Sequence, residues 1–265
     1  FGADHPKTLK SRDQLGWAYI DAGQTDLALS LFQELLKLTK ARFGPDDPQT
    51  LDCMSDVAGA YVEVGNFELA LPLLEETVTL SKAKLGPDHR ITLESMIGLG
   101  GVYAMLGKFD LALPLCEETL KLSKAQFGTN HPDTIRATNG LGWTYVLAGE
   151  LDLALPLLEE SVKLSQAQPD VDRSDTLEYM HNLAITYVKA DKLDLALPLL
   201  KEAVRVGKTQ LGADHPHTIN YTKSLAIAYL KAGNEGLGLP LYEETLKLTE
   251  AQLGPRHPDT VSYTH

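Results

Sequence analysis

Apolar residues along this chain recur at spacings of three and four, and the pattern itself repeats. Leu9, Leu15 and Tyr19 mark one such stripe and Ile135, Leu141 and Tyr145 another, the spacing expected of a helix with one buried face. Each stripe, helix A, runs for about 16 residues and is followed by a helix B of about 17. Helix B opens on the phrase Leu151-Asp152-Leu153-Ala154-Leu155-Pro156-Leu157-Leu158-Glu159-Glu160, and near copies begin at Thr25, Phe67, Phe109, Leu193 and Glu235. Neighbouring copies lie 42 residues apart. A fixed period of this size is the sign of a stacked array in which each helix pair buries its apolar face against the next. The predicted class is all-α, one array over 1–265. Its repeats lie at approximately 1–42, 43–84, 85–126, 127–168, 169–210 and 211–252, with a truncated seventh at 253–265.

The punctuation between helices repeats as well. Asp4-His5-Pro6, Asp46-Asp47-Pro48, Asp88-His89-Arg90, Asn130-His131-Pro132 and Asp214-His215-Pro216 precede successive A helices. The Asp or Asn is expected to cap the helix, with Pro in the first turn. Gly23, Gly65, Gly107, Gly149 and Gly233 suit the end of helix A, with Asp191 in the fifth repeat, and Gly44, Gly86, Gly128, Gly212 and Gly254 the end of helix B. Pro72, Pro114, Pro156, Pro198 and Pro240 lie near one turn into helix B, and Ser30 breaks that column. Small residues at Ala28, Ala70, Ala112, Ala154, Ala196 and Gly238 predict a close approach to helix A, and the tyrosine column from Tyr19 to Tyr229 reads as core. The glutamates from Glu34 to Glu244 read as a solvated stripe. Pro169 to Thr176 departs from the linker pattern and reads as a softer joint.

The residues Leu141-Gly142, Tyr145 and Ala154 resemble the tetratricopeptide (TPR) repeat motif. The linker Leu85-Gly86-Pro87-Asp88-His89, followed by Ala112-Leu113-Pro114-Leu115, is similar to the long TPR units of kinesin light chains. The resemblance implies a right-handed superhelical solenoid that binds a peptide or protein segment in a concave groove lined by helix A. Carried over position by position, it places Lys10, Asp13, Trp17, Asp21, Asp52, Glu63, Glu94, Ile97 and Met105 in the first three repeats. Arg136, Asn139, Trp143, Val146, His181, Lys189, Lys223 and Lys231 follow in the last three. The charged members make an acidic half followed by a basic half, with an apolar floor at Ile97, Met105, Trp143 and Val146, and Gly59 and Gly101 leaving room beside the tryptophans. A ligand with a basic-to-acidic direction is expected. Only His181-Asn182-Leu183-Ala184 and Asn139-Gly140-Leu141-Gly142 approach the paired asparagines with which kinesin light chains hold cargo.

Composition narrows the partner. A net charge of -12 and a pI near 5.1 oppose binding to nucleic-acid phosphates or an anionic membrane. No apolar run approaches the length of about 18 residues needed to span a bilayer. Cys53 and Cys116 lack metal-type spacing, and reduced buried thiols in a cytoplasmic compartment are expected. His5, His89, His131, His215 and His257 fall in linkers of different repeats, so loop structure is expected there in place of a metal. With no phosphate loop or nucleophile constellation, the chain reads as a non-enzymatic module without a cofactor, the recognition part of a larger protein. End-to-end stacking into an oligomer, without a specific ligand, is the alternative.

Overall fold

The computed structural model describes residues 5–22, 24–168 and 173–253, with the side chains of Asp21, Arg173 and 251–253 set aside. The expected glycine stops at 23 and 254, the acid at 4, the core of the irregular linker at 169–172, His257 and the partial seventh repeat from 254 on all lie outside the described residues. The described residues form helices alone: α1 (Pro6–Asp21), α2 (Thr25–Phe43), α3 (Pro48–Glu63), α4 (Phe67–Lys84), α5 (Arg90–Met105), α6 (Phe109–Phe127), α7 (Pro132–Ala148), α8 (Leu151–Ala167), α9 (Arg173–Lys189), α10 (Leu193–Gln210), α11 (Pro216–Lys231) and α12 (Glu235–Leu253). Odd numbers are A helices and even numbers B helices. The chain divides into two compact bodies, one through Glu150 and one from Leu151. Among the described residues no helix is long and apolar enough to cross a membrane.

Helix starts are set one residue later than the sequence suggests. The caps are His5, Asp47, His89, His131 and His215, whose side chains accept from the backbone N–H two residues on. His131 Nδ1, for example, takes Asp133 N–H at 3.2 Å, where Asp47 Oδ1 takes Gln49 N–H at 2.9 Å. The linker histidines are therefore capping groups, and the preceding Asp column does not supply the cap. At the other end of helix A, Asp191 carries the left-handed φ of 60° that glycine supplies in the other described repeats, a conformation Asp tolerates through its short polar side chain.

Packing within a pair depends on the small column. Ala28, Ala70, Ala112 and Ala196 are fully buried in pairs whose helices touch. Gly238 shows why nothing larger is tolerated: a Cβ there would come within 3.1 Å of the Ala226 carbonyl and 2.7 Å of Leu230. Gly16 likewise leaves the space that the Phe32 ring fills.

Packing between pairs buries a shared apolar core, to which the tyrosine rings belong, and adds a polar clasp at its edge. Tyr103, Tyr145 and Tyr187 donate their hydroxyl protons to Glu75, Glu117 and Glu159 of the preceding B helix at 2.7–2.8 Å. Where that glutamate is Gln33, its amide donates to the Tyr61 hydroxyl at 2.9 Å; where it is Lys201, the ammonium lies over the Tyr229 ring, 5.5 Å from its centroid. Tyr103 and Tyr145 are half-buried, with their tips at the surface. Burial and the adjacent carboxylate push the Tyr103 and Tyr187 hydroxyls up to about 12. The second glutamate of the phrase pairs outward. Glu118 meets Lys82 at 3.3 Å and Glu244 meets Lys208 at 3.0 Å, each lysine coming from the preceding B helix. Thr92 and Thr134 add hydroxyl bonds to the carbonyls of Gly86 and Ser123, tying the A helix to the turn or helix before it.

Two measurements follow from this packing. His131→Ala should lower stability by about 0.5–2 kcal/mol, the usual weight of a lost N-cap, while His131→Asp should restore it, as Asp47 does in its own repeat; chemical denaturation reads both. In a double-mutant cycle Tyr103→Phe and Glu75→Ala should couple by about 1 kcal/mol; additivity would mean the clasp contributes nothing.

Candidate functional site

In the N-terminal body α1, α3, α5 and α7 touch in succession, whereas among that body's described residues no two B-helix backbones approach each other closely. The A helices therefore stand on the tighter side of the stack. The groove residues expected in the first four repeats all belong to these four A helices.

The central part of that face is a stripe on α5. Glu94, Ile97, Gly101 and Met105 follow at helical spacing, so their side chains share one side. Gly101 is exposed, and a Cβ placed on it would meet no atom within 4 Å, so the bare backbone forms a notch. Met105 stands 53% exposed at one end of it and Ile97 half-buried at the other. Trp143 holds the corresponding position on α7, half-buried. One repeat earlier the same kind of notch is filled from within: the Trp17 ring reaches to 3.3 Å from where a Gly59 Cβ would stand and packs edge-on against Phe32, centroids 5.5 Å apart. Trp17 is thus largely occupied in holding α1 to α3.

The charges on this face are paired with each other. Arg90 bonds Glu94 at 3.0 Å and Asp52 at 3.5 Å, and Arg136 bonds the other Glu94 oxygen at 3.4 Å and Asp133 at 3.2 Å. This ladder crosses α3, α5 and α7 and corrects the charge reading: Asp52 and Glu94 are not an open acidic end, and Arg136, counted with the basic half, sits among acids of the N-terminal body. The columns missed Arg90. Its signal was an arginine in the first-turn place that holds proline in repeats one, two, four and six.

Beyond Asp52, toward α1, lies a second acidic pair. Asp13 on α1 and Asp56 on α3 are both half-buried. Burial raises both, and for Asp56 burial together with the charges of Asp13, Asp52 and Glu94 carries the carboxyl up to about 8. Asp56 also escaped the inner columns, although an acid stands there against Gln14, Gly98, Gly140, Asn182 and Ser224 in the other repeats. Nearby, burial pushes the Cys53 thiol up to about 12, as suits an inert buried thiol.

Three expected groove residues offer no surface. Val146, Asn139 and His181 are 1%, 4% and 5% exposed, because helix-to-helix packing covers their position on the A helix. In the C-terminal body His181 Nε2 meets Ser224 Oγ at 2.8 Å across α9 and α11, and burial pushes the imidazole down to about 4. Lys189 and Lys231 are exposed there, Lys231 donating to the Val188 carbonyl at 3.4 Å, and Lys223 is half-buried. Lys10 and Glu63 are exposed in the N-terminal body, and the Asp21 side chain lies outside the description. Among the described residues no three His, Cys, Asp or Glu side chains gather to hold a metal ion.

The tetratricopeptide repeat family matches residues 19–83, 51–115, 92–167 and 175–237. No curated protein matches the chain. Among solved structures, a kinesin light chain-type protein of Podosopora anserina with nearly identical TPR-like repeats is 24% identical, with a TM-score of 0.60, covering 77% of this chain and 96% of that one. BtubC (BKLC) from P. vanneervenii is 15% identical over 94% of both chains with a TM-score of 0.59. A Rap protein in complex with competence and sporulation factor reaches a TM-score of 0.70 at 13% identity, over 94% of this chain and 67% of its own. At such identities the likeness is one of fold.

The buried imidazole gives a signed expectation. A histidine lowered in the folded state contributes fully above its unfolded value of about 6.5 and progressively less as pH falls toward its folded value. The stability advantage of wild type over His181→Gln, read by exchange of α9 amides, should shrink between pH 6.5 and about 4; an advantage constant across that range would exclude a neutral buried imidazole.

Proposed function

We propose, for a chain that belongs to the tetratricopeptide repeat family, that the A face of the N-terminal body is a peptide-binding surface. Protein interaction is the general role of the family, whose repeats typically serve as scaffolds and not as catalysts. The observation carrying the finer reading is the Gly101 notch, open and exposed between Ile97 and Met105, where the equivalent notch at Gly59 is already filled by Trp17. A large aliphatic or aromatic ligand side chain would lie on the α5 backbone there, against Met105 and beside Trp143. Such a contact removes apolar area from water on both partners, and one well-packed anchor supplies much of the affinity of an interface. The Arg90–Glu94–Arg136 ladder bounds the notch on the side of Glu94 and is directional: a ligand carboxylate there would compete for the arginines, a ligand ammonium for Asp52 and Glu94. In the C-terminal body, taken by itself, exposed Lys189 and Lys231 favour acidic ligand groups.

A cytoplasmic, reducing setting belongs to the same reading, with both cysteines free and buried. No observation favours end-to-end stacking over ligand binding.

Peptides selected from a random library on the wild-type protein test the proposal. Trp143→Ala should weaken the selected peptides by about 2 kcal/mol, or roughly thirty-fold, and Gly101→Leu, which fills the notch, should abolish binding without unfolding the helix. Peptides that bind Gly101→Leu as well as wild type would place the site elsewhere.

A further inference from the structure

The B helices carry an apolar column that packing leaves half in water. In the N-terminal body Leu27, Leu69 and Leu111 stand third in α2, α4 and α6 and are 47–53% exposed. In the C-terminal body, taken by itself, Leu153, Leu195 and Leu237 do the same at 49–52%. The alanine that follows each leucine of the N-terminal body is fixed by burial against helix A, but burial does not fix the leucines. Helix propensity does not fix them either, because Lys, Gln and Glu serve a helix about as well as Leu. On the A face a single column runs Gly59, Gly101 and Trp143 through the same body, whereas this one is leucine in every repeat. We propose that the leucine row of the N-terminal body is a docking surface for a basic amphipathic segment of another protein, with apolar side chains on the leucines and Lys or Arg beside Asp26, Glu68 and Asp110.

Charge selects that occupant. Asp26, Glu68 and Asp110 each precede a leucine of the row, all three are exposed, and among the described residues none of them makes an ion pair or a side-chain hydrogen bond. An acid in the first turn of a helix also meets the positive end of its dipole, which accounts for the charge and not for the exposed leucine beside it. Further along the same helices charges are met within the molecule, Lys40 by Glu76 and Lys82 by Glu118. Lys108, just before α6, lies over the Tyr103 ring, 5.9 Å from its centroid. Lys37 and Lys121 stand about 15 Å past the row along α2 and α6. The row itself therefore meets water as leucine and carboxylate.

A second copy of the chain does not fit the row, because at a net charge of -12 it would bring acids against the same acids. Nucleic acid and anionic lipid carry the wrong sign as well. Pro72 and Pro114 are exposed about one turn on from Leu69 and Leu111 and widen the apolar strip, where α2 has Ser30, so α4 and α6 offer the stronger anchors. Each contact alone is small; a continuous segment that meets several repeats adds them as linked sites. The row belongs to B helices, so the inference does not rest on the A-face reading.

The probe is a fluorescein-labelled synthetic helix with leucines on one face and lysines on the other, set against a helix of the same pattern with glutamate in place of lysine. Fluorescence anisotropy with the full chain should show the leucine–lysine helix binding and the leucine–glutamate helix not. Leu27→Gln, Leu69→Gln and Leu111→Gln together keep the net charge and should weaken binding about thirty-fold or more. Asp26→Asn, Glu68→Gln and Asp110→Asn together should weaken it about ten-fold and flatten its salt dependence; this variant decides the question should the leucine variant lose helix by circular dichroism. No binding of the leucine–lysine helix, equal binding of the two helices, or a folded leucine variant that binds as tightly as wild type overturns the surface. Binding lost in Gly101→Leu alone would put the probe on the A face, sinking this inference and leaving that reading intact. Self-association of wild type that the leucine variant loses, read by sedimentation, would give the row to a second copy and overturn the basic partner.

Discussion

Each described B helix that crosses its A helix closely does so on a residue no larger than a methyl group, and the stack is built outward from that contact. Ala28, Ala70, Ala112 and Ala196 have no exposed surface, and at Gly238 even a methyl would press on the opposite backbone. Close crossing brings the remaining buried side chains of the pair into mutual contact, so Phe32 fits over Gly16. It also fixes the distance to the next pair. Only with that distance fixed can a tyrosine tip meet a glutamate, or a lysine reach the following helix, at the same place in repeat after repeat.

This hierarchy explains what was legible in the amino-acid sequence. Helix number, helix ends and the small column were readable because they follow from backbone and steric rules that act within a few residues. Capping shows the limit: Asp and His both reach the N–H two residues on, and only Asp47, standing in the histidine column and capping α3, hinted that the cap lay one position later. The tyrosines were recognisable as large residues, but column position does not say which end of a ring meets water.

The face assignments were less readable for a different reason. Summing formal charges over columns treats each side chain as if it pointed straight outward. Long side chains lean, and Arg90, outside the inner columns, reaches two acids within them. Burial added a second error at Val146, Asn139 and His181, where the frame itself uses positions that lie next to the open face. The surface proposed for recognition is also part of the scaffold. The glutamate that borders the notch also holds α5 to α7 through Arg136, so a ligand that engages it acts on the scaffold at the same time.

The clasp between repeats has a fixed address. In each described clasp the tyrosine finds its partner 28 residues back, and a lysine of helix B finds its glutamate 36 residues on. Each repeat thus carries one half of the joint in front and the complementary half behind. Unequal recombination in register can then duplicate or delete a whole repeat while leaving each described clasp with a partner of the right kind, so the length of the array is free to change in steps of one repeat. The exceptions set the terms of divergence: Gln33 with Tyr61 and Lys201 with Tyr229 keep the contact by changing its chemistry. A repeat moved next to either will still close, because the tyrosine accepts a carboxylate, an amide or an ammonium at the same address.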